Sequence, residues 1–132
     1  MLDTDVVIAA LDQSDAHHRN AAEAFARFVE EETDLLISAV NYAESLVRPA
    51  EDERNLRAAI DAISSLRIRV AAPDAVVARD AARFRALGIS LADGFALATA
   101  KAHGASVASF DKRVRRALRT ASLRLCKPLA SE

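Results

Sequence analysis

The chain has 132 residues, of which 52% are hydrophobic and 28% charged, and its formal net charge is −1. This length and composition predict one folded domain over residues 1–132 and exclude a disordered chain. The single cysteine, Cys126, excludes an intrachain disulfide and fits a reducing compartment. No apolar run approaches the roughly 20 residues of a membrane helix, and no signal peptide is recognisable. We therefore expect a cytoplasmic protein that does not contact the membrane.

The two halves of the chain carry opposite charge. Residues 1–66 contain 5 Lys or Arg and 14 Asp or Glu, a balance of −9, whereas residues 67–132 contain 13 and 5, a balance of +8. Such asymmetry indicates a basic surface that meets an anionic partner. Solvated helix faces whose charges intermingle after folding explain the asymmetry equally well, so the charge distribution leaves both interpretations open.

The hydrophobic pattern alternates between helix and strand periodicity. After an apolar lead-in at residue 2, the pattern predicts helices to residue 11 and over 17–32, 40–48, 51–66, 73–87, 91–103 and 112–120. It predicts a buried strand over 34–38, an edge strand over 67–71 and further strands over 105–109 and 123–126. Strands that alternate with helices through short connections predict an α/β fold, with helices on both faces of a central parallel sheet of four to five short strands.

Acidic residues recur near the carboxyl ends of these strands, where open α/β sheets build their sites. They are Asp3 and Asp5 after the lead-in, Glu44 early in the helix after strand 34–38, Asp93 in the first turn of helix 91–103, and Asp111 just after strand 105–109. Helix capping is a simpler explanation for Asp5, for Asp93 in its Ser-x-x-Asp pattern and for Asp111. Capping does not explain Glu44, which lies beyond the first turn of its helix.

Acids that converge at one edge of a sheet require neutralisation. Two carboxylates about 4 Å apart repel by roughly 4 kcal/mol at an effective dielectric constant near 20. Protons, basic side chains or a divalent cation can relieve this repulsion. The chain has no Cys/His ligand pattern, because the adjacent His17 and His18 point to different faces of a helix and we expect both to face solvent. Oxygen ligation is the chemistry of Mg²⁺ or Mn²⁺, and a carboxylate-held Mg²⁺ promotes phosphodiester hydrolysis.

Four motifs resemble those of PIN-domain ribonucleases, in particular the VapC toxins of bacterial toxin–antitoxin pairs. They are LDTDVVIA at 2–9, ISAVNYAE at 37–44, LADGFALATA at 91–100 and VASFD at 107–111, and together they span nearly the whole chain. The resemblance implies a PIN-like three-layer α/β/α fold and a Mg²⁺-dependent endoribonuclease, with Mn²⁺ as the other cation that suits the site. It also implies an RNA substrate, a homodimer and a cognate antitoxin protein that blocks the site.

The resemblance further assigns residues to the site. Asp3, Glu44, Asp93 and Asp111 are the implied catalytic and metal-binding residues, with Asp5 and Ser109 as secondary polar contributors. Asp3, Asp93 and Glu44 would hold the first ion, and Asp111 would hold a second ion or orient the attacking water, leaving 5′-phosphate and 3′-hydroxyl ends. Two positions depart from the family pattern: position 5 is Asp where Asn or Ser is more usual, and position 109 is Ser where Thr is usual.

The basic helix after Asp111 predicts a nucleic-acid contact. Its cationic residues are Lys112, Arg113, Arg115, Arg116 and Arg119. Cations beside an acidic metal site would hold the RNA backbone by its phosphates. Solubility, or a contact with an acidic stretch of the antitoxin, is the alternative role of this helix.

Two other functions compete with the nuclease. A receiver-like phosphoacceptor module also has acids after its first strand, but it needs a phosphoacceptor Asp at a mid-chain strand end, where this chain has Ser38 and Ala72-Pro73. A PIN-like module that binds without catalysis is the second alternative. Flap nucleases acting on DNA need long insertions, for which 132 residues leave no room.

Overall fold

The computed structural model describes residues 1–126; residues 127–132 of the predicted domain lie outside the described part. In chain order, the elements are α1 (Thr4–Leu11), α2 (His18–Glu30), β1 (Leu35–Ser38), α3 (Ala39–Leu46), a short 3₁₀ turn (Pro49–Glu51), α4 (Glu53–Ser65), β2 (Ile68–Ala71), α5 (Ala75–Arg85), α6 (Leu91–His103) and α7 (Lys112–Thr120). The predicted helices agree with the observed ones to within two residues at each end. Among the described residues, no helix is long and apolar enough to cross a membrane.

One regular pair of strands forms one edge of the sheet. β1 and β2 run parallel, with Leu35 opposite Ile68 and Ser38 opposite Ala71. All four residues of β1 are buried, whereas only Ile68 of β2 is buried. This contrast agrees with the sequence, which predicts a buried strand for β1 and an edge strand for β2.

Three further segments extend the sheet on the β1 side through short stretches of backbone pairing rather than a regular ladder. The backbone N–H of Leu2 donates to Leu36 O over 2.8 Å, Leu2 bridges to Ala108, and Val107 bridges to Leu125, both bridges being parallel. The prediction of four to five strands is therefore wrong for residues 1–126, where only two segments form a ladder. At the first of these segments the reason is its length, since α1 begins two residues after Leu2 and leaves almost no extended chain to pair.

Side-chain caps determine where several helices begin. Ser38, Asp74 and Ser90 each accept a hydrogen bond from a backbone N–H in the first turn of α3, α5 and α6, respectively. Because Asp74 is the cap of α5, that helix begins at Ala75 rather than at the predicted residue 73. Gly104, with φ of +63°, ends α6 in the left-handed conformation that glycine adopts without penalty.

The helices pack around a core that leaves the acidic residues at one edge. Its largest fully buried aliphatic side chains are Leu2, Val6, Val7, Ile37, Ile63, Leu97, Val107, Val114 and Leu118. At the crossing of α5 and α6, a Cβ on Gly94 would lie 2.5 Å from Ala81 O, so only glycine permits this close approach. This crossing positions the first turn of α6, which carries Asp93.

Candidate metal and catalytic site

Asp3 lies at the N-terminus of α1 and is only 2% exposed. Its Oδ1 accepts a hydrogen bond from Thr4 N over 2.9 Å, and its Oδ2 accepts one from Ser109 Oγ over 2.7 Å. Burial, followed by repulsion from Asp5 and Asp93, raises the pKa of Asp3 to about 8. Neither hydrogen-bond partner carries a charge, so the ionised carboxylate is costly in the structure as it stands.

Asp5 lies two residues after Asp3, inside α1, so the helix cap is Asp3 rather than Asp5, and the Asp5 side chain reaches the next segment of the sheet. Its Oδ2 accepts a hydrogen bond from Phe110 N over 3.0 Å, while its Oδ1 is buried without a hydrogen-bond partner. Burial, opposed by the hydrogen bond from Phe110 and reinforced by the charges of Asp111 and Asp93, raises the pKa of Asp5 to about 6. A buried acceptor without a donor is uncommon and is suited to a ligand that approaches it.

Asp93 and Asp111 are neighbours of this pair but are engaged in helix caps. Asp93 Oδ2 accepts from Ser90 N over 3.3 Å and Ser90 Oγ accepts from Asp93 N over 3.1 Å, which completes a capping box. Asp111 is the N-cap of α7, where its Oδ1 accepts from Arg113 N over 2.8 Å, and Arg113 Nη2 lies 3.5 Å from its Oδ2. The capping interpretation of both acids is therefore confirmed, although their charges still raise the pKa values of neighbouring carboxyls.

Glu44 is exposed and reaches the other acids through two residues that the sequence interpretation did not single out. Its Oε1 accepts a hydrogen bond from Thr4 Oγ1 over 2.6 Å. Asn41, fully buried, donates from Nδ2 to Thr4 Oγ1 over 3.2 Å and to Ala92 O over 3.1 Å. We name these residues the Thr4–Asn41 bridge, because they join α1, α3 and α6. An amide in α3, three residues before an acid, was the available signal.

The arrangement is a partly assembled acidic site. The structure brings Asp3, Asp5, Asp93 and Asp111 into electrostatic range and links Glu44 to them through Thr4. Within residues 1–126, no group of three or more Asp, Glu, His or Cys side chains is placed to hold a metal ion as it stands. The donor set nevertheless fits a divalent cation, because it consists of oxygens, two carboxyls with raised pKa values and two buried oxygens without a donor, one on Asp5 and one on Asn41.

The basic helix α7 adjoins this site. Val114, Ala117 and Leu118 face the core, while Lys112, Arg113, Arg116 and Arg119 are exposed. Arg115 is half-buried and donates from Nε to Ser109 O over 2.8 Å. The helix thus presents cations at the surface and ties one of them to the segment that carries Ser109 and Asp111.

A concave surface borders Glu44 on its other side. This groove has a volume of about 760 Å³ and lies between α1, α3 and α4. Ile8, Leu11 and Ala59 contribute apolar surface, and Arg48 and Glu44 contribute charge. It is large enough for several side chains of another molecule.

The sequence and the fold of this chain were compared with those of known proteins. A family model described as PIN domain matches residues 1–119. The fold is similar to that of FitAcB from Neisseria gonorrhoeae, with a TM-score of 0.72, 24% identity, and coverage of 98% of this chain and 97% of that chain. It is also similar to VapC20 of Mycobacterium tuberculosis, a toxin that cleaves the sarcin–ricin loop, with a TM-score of 0.69, 19% identity, and coverage of 88% and 92%. No curated protein sequence matches the chain significantly.

Proposed function

Because the chain belongs to the PIN-domain family, we propose that it is a cytoplasmic, metal-dependent endoribonuclease of the VapC type, the toxin of a type II toxin–antitoxin pair. The observation that carries the proposal is the pair Asp3 and Asp5. Both carboxyls are buried near Asp93 and Asp111 and have raised pKa values. The two groups that donate hydrogen bonds to Asp3 carry no charge. Buried carboxyls with raised pKa values that lie close to other acids are typical of sites that bind a cation or carry out chemistry.

The residues divide into holding and orienting roles. We assign Asp3, Asp93 and Glu44 to hold Mg²⁺ or Mn²⁺, and Asp111 to hold a second ion or orient water. The cation would supply charge screening at phosphate and a water of lowered pKa. Ser109 orients Asp3 through its hydroxyl, Thr4 orients Glu44, and the unpartnered Oδ1 of Asp5 is a secondary acceptor.

The basic helix α7 supports RNA as the substrate. Cations beside the acids would bind backbone phosphates on either side of the cleaved bond, which positions RNA without reading its sequence. The roles that we assign are phosphate contacts for Lys112, Arg113, Arg116 and Arg119, and positioning of the Ser109 segment for Arg115, in addition to its charge.

A protein partner and a second copy complete the proposal. A cognate antitoxin would block the site, and the groove next to Glu44 offers it a concave surface. Co-expression with the product of the adjacent gene should suppress cleavage by this chain and yield a stable complex. Light scattering during gel filtration should give twice the mass of one chain for the free protein, whereas a mass of 14.2 kDa would contradict the homodimer.

The decisive experiment is cleavage of total cellular RNA by purified protein, with Mg²⁺ or with EDTA. Asp93→Asn is the test variant, since an amide keeps the cap on Ser90 but removes the charge, and Asp61→Asn, an exposed acid of α4, is the matched control. We expect discrete products bearing 5′-phosphate that disappear with EDTA and with Asp93→Asn only.

The opposite outcome favours a different function. If folded protein cleaves no RNA with Mg²⁺ or Mn²⁺, the carboxylates serve as the caps that they form in the structure, and a PIN-like module that binds without catalysis becomes the better account. The observation that supports this alternative is the capping role of Asp93 and Asp111.

A further inference from the structure

An aromatic pair lies beside the acidic site. The rings of His17 and Phe110 stack in parallel, with 4.3 Å between their centroids and 8° between their planes. Phe110 lies between Ser109 and Asp111 in the chain, and its backbone N–H donates to Asp5 Oδ2 over 3.0 Å. The stack is therefore attached to the candidate site by the main chain of Phe110.

His17 departs from the local preference for its position. It is the N-cap of α2, where Ser, Thr, Asp or Asn would accept a hydrogen bond from the helix, yet its side chain makes no cap hydrogen bond. The adjacent His18 has Nδ1 2.7 Å from Ala9 O and so already joins α2 to α1. His17 thus contributes a ring rather than a cap, and departures from local rules concentrate at functional sites. The expectation that both histidines face solvent is confirmed for His17, which is exposed, and is wrong for His18, which is half-buried against α1.

The stack has one covered side and one open side. Phe110 is half-buried and packs against the hydrophobic core, which holds its ring in place. His17 covers Phe110 and is itself exposed, so the face of the His17 ring that points away from Phe110 is accessible. Proteins bind unpaired nucleotides by stacking on an accessible aromatic face, and this one is carried by the segment that contains Ser109 and Asp111.

We propose that the His17–Phe110 stack is a platform for one unpaired base of the RNA substrate, next to the nucleotide whose phosphate meets the acids. This inference rests on the proposed function and adds a substrate class to it. In a duplex both faces of a base are covered by its neighbours, so a stacking platform accepts only a base that is unpaired and free to leave the stack. The platform therefore selects single-stranded or looped RNA over duplex RNA.

Fluorescence of a stacked base tests the platform without turnover. The probe is a short oligouridine that carries one aminopurine, a base whose emission is quenched by stacking, bound to Asp93→Asn protein in Mg²⁺. Replacing His17 with Ala should weaken binding about tenfold and abolish the quenching. His17→Tyr keeps an aromatic face and should retain both. His103→Ala, which removes another exposed histidine at the end of α6, should change neither.

A structural role of the stack predicts different results. If His17 only shields Phe110, then His17→Ala lowers the melting temperature and leaves binding and quenching unchanged, which would overturn the platform. His17→Leu retains apolar cover over Phe110 without an aromatic face and replaces the alanine variant if that variant is unfolded. The platform requires His17→Leu to lose quenching.

Cleavage kinetics give an independent measurement. Abasic nucleotides are introduced one at a time around the mapped cleavage position of a short RNA. One abasic position should lower kcat/KM of the wild-type protein about tenfold, and His17→Ala should lose nothing further on that RNA. If the loss from His17→Ala adds to the loss from the abasic nucleotide at every position, the platform is contradicted and the proposed function is not. Absence of all cleavage would contradict the proposed function, while the quenching measurement would still decide the platform.

Discussion

At the scale of single residues, the acids of this site are distinguished by their partners. Asp3, Asp93 and Asp111 each accept a hydrogen bond from the backbone at a helix N-terminus, but Asp3 is buried and also accepts one from the hydroxyl of Ser109. Glu44 depends on a hydroxyl, since its described hydrogen bond comes from Thr4, which in turn accepts from Asn41. A residue that orients a metal-binding side chain commonly affects metal affinity and activity nearly as much as the metal-binding side chain does.

The Thr4–Asn41 bridge should therefore control how well the site binds its cation. We expect Asn41→Ala and Thr4→Val to reduce cleavage by roughly tenfold or more and to raise the Mg²⁺ concentration needed for half-maximal activity. Thr4→Ser keeps the hydroxyl and should retain the Mg²⁺ dependence of the parent protein. Ser45→Ala, a buried polar residue of α3 that bonds only its own helix, is the control. A loss of melting temperature without a change in Mg²⁺ dependence would contradict the orienting role.

At the scale of elements, α7 combines an apolar face with an exposed basic face. Each phosphate contact that a cation makes contributes about one unit to the slope of log affinity against log salt concentration. We expect Arg116→Glu with Arg119→Glu to raise KM, leave kcat on saturating RNA nearly unchanged and flatten the salt dependence. Arg27→Glu, an exposed cation of α2, should change none of these. A lower kcat with an unchanged KM and salt dependence would indicate that α7 supports the site structurally.

The crossing of α5 and α6 is a second element whose effect can be measured. A methyl group at Gly94 would meet Ala81 O at 2.5 Å, so Gly94→Ala should force the helices apart and lower the free energy of unfolding by about 1–3 kcal/mol. Gly104→Ala is the control, because nothing lies within 4 Å of that position and its cost of about 1 kcal/mol comes from the positive φ alone. Denaturant unfolding of both variants checks this. Equal losses of unfolding free energy in the two variants would show that α5 and α6 accommodate the extra methyl group without strain.

At the scale of the whole molecule, the buried acids couple folding to protons and cations. Asp3 and Asp5 have folded-state pKa values of about 8 and about 6, above the ordinary 3.8, so the folded protein binds protons more tightly than the unfolded chain. The stability that these carboxyls contribute is complete below their unfolded pKa and is lost as the pH rises through about 6 and about 8.

In EDTA, the melting temperature should therefore fall by at least about 5 °C between pH 5 and pH 8. Saturating Mg²⁺ should raise it at pH 8, by about 2.7 kcal/mol of stability at 100 times the dissociation constant, and less at pH 5, where protons compete. Scanning fluorimetry measures both. Asp3→Asn should flatten the pH dependence and remove the Mg²⁺ effect, whereas a melting temperature that rises with pH in the parent protein would contradict the assignment.

Much of this protein is determined locally and can be read from the sequence. The periodicity of apolar residues predicts each helix, and the side chains of Ser38 and Ser90 mark helix starts, because capping and amphipathicity act over a few residues. The order of the acidic motifs and their resemblance to PIN-domain nucleases predicted the family that the model match shows. These features depend on neighbours that are close in the chain.

Only the tertiary structure decided what each acid contacts. The bond of Ser109 to Asp3 spans 106 positions and that of Thr4 to Glu44 spans 40, and no local pattern specifies either pair. The sheet was overpredicted for the same reason, since a strand needs a partner along its length, and the segment at Leu2 is too short to provide one. The stack of His17 on Phe110 was also invisible in the sequence, because two segments that are far apart must meet before two rings can share a face.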